Sequence, residues 1–99
     1  MNVKVQSVRF DADQKLLDYV DKKVGKLSQY ADNILSAEVI LRLDNSETNE
    51  NKIAEISLDV PKITDLFAKR QCKTFEEAVD LSVDALKKQL VKEKGKQRE

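Results

Sequence analysis

Two stretches of period-two hydrophobicity constrain this chain more than any other feature in it. From Leu35 to Asp44, the residues Leu35, Ala37, Val39, Leu41 and Leu43 stand opposite Ser36, Glu38, Ile40, Arg42 and Asp44. From Lys52 to Val60 the alternation resumes through Ala54, Ile56, Leu58 and Val60. Successive side chains of a strand point to opposite faces, so each stretch offers one apolar face to a core. The connection from Asn45 to Asn51 holds no apolar residue, and the two stretches read as a hairpin.

The flanking sequence supplies what covers that face. Met1 to Val8 also alternates, with Met1, Val3 and Val5 against Asn2, Lys4 and Gln6, and predicts a first strand. Asp11 or Asp13 can then cap a helix running to about Tyr30, with Asp11 and Gln14 as a box-like pair. Its apolar residues Leu16, Leu17, Val20, Val24, Leu27 and Ala31 fall within about 100° of arc. After Val60-Pro61-Lys62, where proline cannot donate to a ladder, Ile63 to Lys73 predicts a fourth strand. Its alternation is poor, so a bulge or a shifted register is expected, with either Leu66 or Phe67 inward. Thr74-Phe-Glu-Glu77 is a capping box, and Phe75, Val79, Val83, Leu86 and Leu90 then share roughly 80° of a last helix.

The order is β-α-β-β-β-α. One-sided strands and one apolar stripe per helix fit an α+β sandwich of two layers, an antiparallel-rich four-stranded sheet with both helices on one face. Ninety-nine residues suit one domain, expected over residues 1–95, with 96–99 a charged tail that frays from about Gly95.

Several chemistries are disfavoured. The chain has no histidine and a lone cysteine, Cys72, which leaves no Cys/His zinc site, no imidazole base and no internal disulfide. Gly25 and Gly95 are too far apart for a phosphate-binding loop. No catalytic residue, cofactor, metal or small-molecule substrate is expected. Without a membrane-length apolar run or a signal-like leader, a reducing, cytoplasmic location is expected. The pairs Glu76 with Asp80 and Asp80 with Asp84 share helical faces and could hold a divalent ion, or could simply favour the positive end of the helix dipole. Cys72 beside Lys73 either carries an activated thiol or fills a strand end.

Charge distribution is the more informative property. Eighteen basic and eighteen acidic side chains cancel, yet the last helix divides into an acidic first half and a basic second half. Glu76, Glu77, Asp80 and Asp84 precede Lys87, Lys88, Lys92, Lys94, Lys96 and Arg98, six cations where two or three would satisfy the dipole. Lys88, Lys92 and Lys96 form one flank of the stripe and Lys87, Lys94 and Arg98 the other. In the first helix Lys15, Tyr19, Lys22 and Lys26 align, with Lys23 at the margin. This is either a solvated face or, merged with a flank of the last helix, a phosphate-binding surface extended by Lys69, Arg70 and Lys73. The alternative is a protein-interaction module using an exposed sheet face bearing Ile40, Ile53 and Arg42.

Lys23 and Lys26-Leu27, followed by Tyr30, Asp32 and Ile34, resemble the first helix and exit of a known family. Phe75-Glu-Glu-Ala78-Val79-Asp80, Leu86, Gln89-Leu90, Lys92 and Lys94 resemble that family's last helix. It is the bacterial ribosome hibernation-promoting factors and ribosome-associated translation inhibitors, in their short, single-domain form. Ala85, Val91 and Lys73 depart from common family residues. The resemblance implies a fold related to double-stranded RNA-binding domains and a monomer off the ribosome. It further implies binding to ribosomal RNA of the small subunit in the mRNA and tRNA channel, silencing and protecting idle ribosomes. Matching positions nominate Lys23, Lys26, Lys88, Lys92 and Lys94, while Lys22, Lys87, Lys96 and Arg98 rest on charge alone. Long members carry a further C-terminal domain that pairs ribosomes. This chain is expected to end before it and to need another factor for pairing.

Overall fold

The computed structural model describes residues 1–45 and 49–97, with side chains through Glu93. Strand β1 (Asn2–Val8) leads into helix α1 (Gln14–Gly25), which tightens into a 3-10 turn over Lys26–Gln29. Strands β2 (Ser36–Leu43), β3 (Lys52–Asp59) and β4 (Phe67–Cys72) follow, and helix α2 (Phe75–Gln97) closes the chain. The sheet order is β1-β2-β3-β4. β1 runs parallel to β2, with Val5 opposite Val39, whereas β2-β3 and β3-β4 are antiparallel. Parallel neighbours need a crossover, and α1 is that crossover. The expected α+β order therefore holds, with a mixed sheet.

One core explains the layering. Ala37, Val39 and Leu41 of β2 and Ala54, Ile56 and Leu58 of β3 are buried together with Val20 and Val24 of α1 and Phe75, Val79, Leu86 and Leu90 of α2. Both helices thus cover the same sheet face. α1 packs against β1, and α2 against β3 and β4.

Local chemistry sets the helix ends. Asp13, not Asp11, is the first cap: its carboxylate accepts from the Leu16 N–H at 2.8 Å. Gln14 turns forward to Asp18 instead of pairing with Asp11. The α-helical ladder stops short of Tyr30 at Gly25, a poor helix former, and only the 3-10 turn reaches Gln29. At α2 the Thr74 hydroxyl accepts from the Glu77 N–H at 3.1 Å, the threonine half of the capping box. Ala78 and Ser82 are fully buried beside the large apolar residues, while Val83 is half-buried. α2 continues to Gln97, past Gly95 where fraying is expected.

The entry to β4 explains its irregular sequence. Val60 and Ile63 close a turn through an N–H to carbonyl bond of 3.2 Å, with Pro61 second and Lys62 third at φ 70°. Asp65 also has positive φ, at 63°, so regular pairing begins only at Phe67. Leu66 is buried and Phe67 is exposed, which settles which of the two faces the core.

The open sheet face corrects one expectation. Ile53 is only 6% exposed, so the apolar patch expected from Ile40, Ile53 and Arg42 does not form. In register, Ile53 lies between Arg42 and Gln71. Arg42 pairs with Glu55 at 3.4 Å, and the Gln71 amide donates to the Glu50 carbonyl at 2.6 Å. Ile40 is half-buried. Cys72 ends β4 buried, and burial, followed by the nearby Glu77 carboxylate, pushes its thiol pKa up. It fills the strand end and is not activated.

Candidate functional site

α1 and α2 meet along a seam that opens into a groove of about 320 Å³. Leu27 and Val83 contribute its apolar lining, Lys23, Lys26 and Tyr30 its α1 side, and Asp80, Asp84 and Lys87 its α2 side. The first three turns of α1 present Tyr19 and Lys23 toward Asp80, four residues apart and therefore on one helical face. The Tyr19 hydroxyl donates to Asp80 Oδ1 at 2.7 Å, and Lys23 Nζ lies 3.5 Å from the same oxygen. Lys23 also sits 5.6 Å from the centre of the Tyr19 ring. Farther along, Lys87 Nζ stands 5.2 Å from the centre of the Tyr30 ring. Both lysines are thus held near aromatic faces, which attract cations.

The Asp80 contact has an electrostatic cost for the phenolate. The hydrogen bond to Asp80, burial, and the Asp80 and Glu76 charges push the Tyr19 pKa up to about 12. Asp80 is therefore a cross-helix acceptor, and its place in the acidic half of α2 is not explained by the dipole alone. Glu76 and Glu77 do occupy the first turn, as the dipole account requires. Asp84 pairs with Lys88 at 3.2 Å on its own helix. Among the described residues no cluster of three or more potential metal ligands exists.

The nominated cations divide between surfaces. Lys23, Lys26 and Lys87 come together in the groove. Lys22 is exposed on α1 outside the groove lining. Lys88 and Lys92 are exposed, and on the helical projection they lie about 100° and 140° around α2 from Lys87. Lys87, one of four residues nominated by charge alone, thus faces α1, whereas Lys88 and Lys92, nominated by resemblance, do not. Lys94 and Lys96 are described by backbone only, within α2, and Arg98 lies outside the described residues. Lys15 borders a separate cleft with Phe10, Phe75 and Glu76. Lys69 and Arg70 are exposed on β4, the sheet edge opposite β1, and do not extend the groove.

Two roles escape a reading by charge or period. Asp80 stands out in sequence as one of the acidic residues of the last helix, but its bond to Tyr19 across the seam does not. Gln89 is the second: its amide donates to the Phe67 carbonyl at 3.1 Å and ties α2 to β4. The sequence signal for Gln89 is membership of the last-helix pattern.

Residues 3–98 match the family described as sigma 54 modulation protein / S30EA ribosomal protein. The chain belongs to this family. A ribosome hibernation promoting factor of Azotobacter vinelandii is 33% identical over 97 residues, covering 98% of this chain and 86% of that protein. A ribosome hibernation promotion factor of Bacillus subtilis is 29% identical over 98 residues, covering 97% of this chain but 50% of that protein. The S30EA-family fold is also seen in the N-terminal domain of Thermus thermophilus Protein Y. That structure has a TM-score of 0.80 and 29% identity, over 93% of this chain and 98% of that one. A ribosomal subunit interface protein from Coxiella burnetii shares the fold, with a TM-score of 0.82 at 22% identity over 96% of this chain and 99% of that one.

Proposed function

We propose that this S30EA-family chain binds the small ribosomal subunit through the paired faces of α1 and α2 and occupies the mRNA and tRNA channel. Idle ribosomes are thereby silenced and protected. The observation that carries the reading is the convergence of Lys23 of α1 and Lys26 of the 3-10 turn that follows it with Lys87 of α2 in a single groove. The proposal also draws on the names of the relatives, which are hibernation factors.

The physics suits an RNA backbone. Net charge is zero, but screening limits each charge to about 8 Å at physiological salt, so a local cationic cluster acts independently of the total. Phosphates entering the groove meet Lys26 and Lys87, and Lys23 can exchange its Asp80 partner for a phosphate oxygen. Lys22, Lys88 and Lys92, exposed on the two helices, widen the surface toward neighbouring strands of ribosomal RNA; Lys94, Lys96 and Arg98 are proposed to add to the binding by their charge. In this reading residues 1–95 form the binding unit, 96–99 are a charged extension, and the protein is a cytoplasmic monomer off the ribosome. Inhibition is by occupancy, without catalysis, cofactor or small-molecule substrate. No helix among the described residues is long and apolar enough to cross a membrane.

Cosedimentation with purified small subunits across a salt series tests the reading. Affinity should fall log-linearly with salt, as counterion release demands. Binding that ignores salt, or that survives combined reversal of Lys23, Lys26 and Lys87, would sink it.

A further inference from the structure

Beyond the cationic groove, Tyr30 also lines a second cavity, of about 230 Å³, with Gln29, Asp32, Asn33, Ile63 and Leu90. We infer that this cavity takes one unstacked nucleobase bearing an amino group, from the RNA strand whose phosphates occupy the groove. The inference rests on the RNA-binding reading and adds a base-reading element to it.

Three observations converge on that occupant. The cavity combines an aromatic ring with the aliphatic side chains of Ile63 and Leu90, the surroundings in which a flat base is stacked and desolvated. Its polar members are Gln29, Asp32 and Asn33, whose side chains make no hydrogen bond or ion pair with any described residue. By contrast, Tyr19, Lys23, Asp84, Lys88 and Gln89 along the helices all have partners. The lining contains a carboxylate and no cation, so it disfavours phosphate and favours a donor-rich, uncharged ring. An amino group such as N6 of adenine or N4 of cytosine can donate to the Asp32 carboxylate, and the amides of Gln29 and Asn33 supply both donors and acceptors.

Connectivity adds the final element. Because Tyr30 borders both cavities and carries Lys87 over its ring, a phosphate on Lys87 places its adjoining nucleotide beside the second cavity. Charge in the groove would supply affinity, and the cavity would supply preference among bases.

The test titrates the whole chain with short single-stranded oligoadenylate and oligouridylate, whose base lacks an amino group. Affinity is read by anisotropy, and the side-chain amide resonances of Gln29 and Asn33 by NMR. Oligoadenylate should bind more tightly and shift both amides. Asn33→Ala and Asp32→Ala should erase the preference while leaving the salt dependence intact; both residues are exposed, so folding is not at stake. Tyr30→Ala should weaken oligoadenylate binding about tenfold. Equal affinity for the two oligonucleotides with a full salt dependence, or unmoved amides, overturns the base-reading inference and leaves the groove. Failure to bind either oligonucleotide overturns the base-reading inference, and the groove reading then stands or falls on cosedimentation with small subunits.

Discussion

The Tyr19 hydroxyl reaches Asp80 at 2.7 Å across 61 residues of sequence, joining the first helix to the last. This bond is the most specific polar contact in the seam, and it holds the two helices that carry the groove. A charge-assisted bond of this kind is worth roughly 1.5–3 kcal/mol. Tyr19→Phe should therefore lower unfolding free energy by about 1–2 kcal/mol in urea melts. A loss below experimental error would show that packing alone holds the seam.

The same contact predicts a pH dependence. The folded pKa of Tyr19 is raised from 10.0 to about 12, so the folded protein retains a proton that the unfolded chain has lost. The associated stabilisation is complete below pH 10 and is lost as pH climbs through about 12. Ultraviolet titration in a Tyr30→Phe background isolates this phenol. Asp80→Asn should bring its midpoint back toward the ordinary value.

Charge reversal should separate the two flanks of α2. Lys87→Glu, in the groove, is expected to weaken small-subunit binding more than Lys88→Glu, whose side chain already pairs with Asp84 and is 78% exposed. Each phosphate contact removed should reduce the salt slope by about 0.7–0.9. Lys4→Glu, on an exposed strand position, is the control. Equal losses for Lys87 and Lys88 would move the interface away from the groove.

Gly25→Ala should stabilise the protein by about 0.4–1 kcal/mol. The glycine has helical backbone angles of φ −59° and ψ −28°, and a Cβ there meets nothing within 4 Å. Thermal melts give the value. Ribosome binding should not change, since Lys26 keeps its place beyond the helix end.

Ser82 lies fully buried with its hydroxyl 3.4 Å from the Ala54 carbonyl, too long a bond to contribute much. Ser82→Ala should be nearly neutral, whereas Ser82→Leu should cost about 1–3 kcal/mol by overpacking. Denaturant melts of the pair distinguish a spacing role from a hydrogen-bonding one.

The legible parts of this protein were those governed by neighbours in sequence. The Thr74 cap and the stripe containing Val79, Leu86 and Leu90 are present, and the alternation expected from Leu35 to Asp44 forms strand β2 over Ser36–Leu43, with Leu35 outside the strand and exposed instead of facing the core. Ala78 and Ser82 escaped because small and polar residues add nothing to an apolar stripe, although both are fully buried. Ile53 alternates onto the open face yet is buried between its register neighbours Arg42 and Gln71, each held by its own partner. The groove itself was only partly readable. Sequence placed cations on both helices, but which flank of α2 faces α1 depends on where β1 enters the sheet, and parallel pairing with β2 is a long-range choice.

That parallel pairing has a kinetic side. β1 cannot find its partner until β2 has been made, and Tyr19 cannot meet Asp80 until the chain has grown by a further 61 residues. The antiparallel β2-β3-β4 segments, by contrast, can begin zipping from near neighbours. Contacts between distant parts of a chain carry the larger loop-closure penalty and form late. The seam between α1 and α2 is consequently a checkpoint for the finished fold: a nascent or partly folded molecule has the lysines but lacks the groove that gathers them.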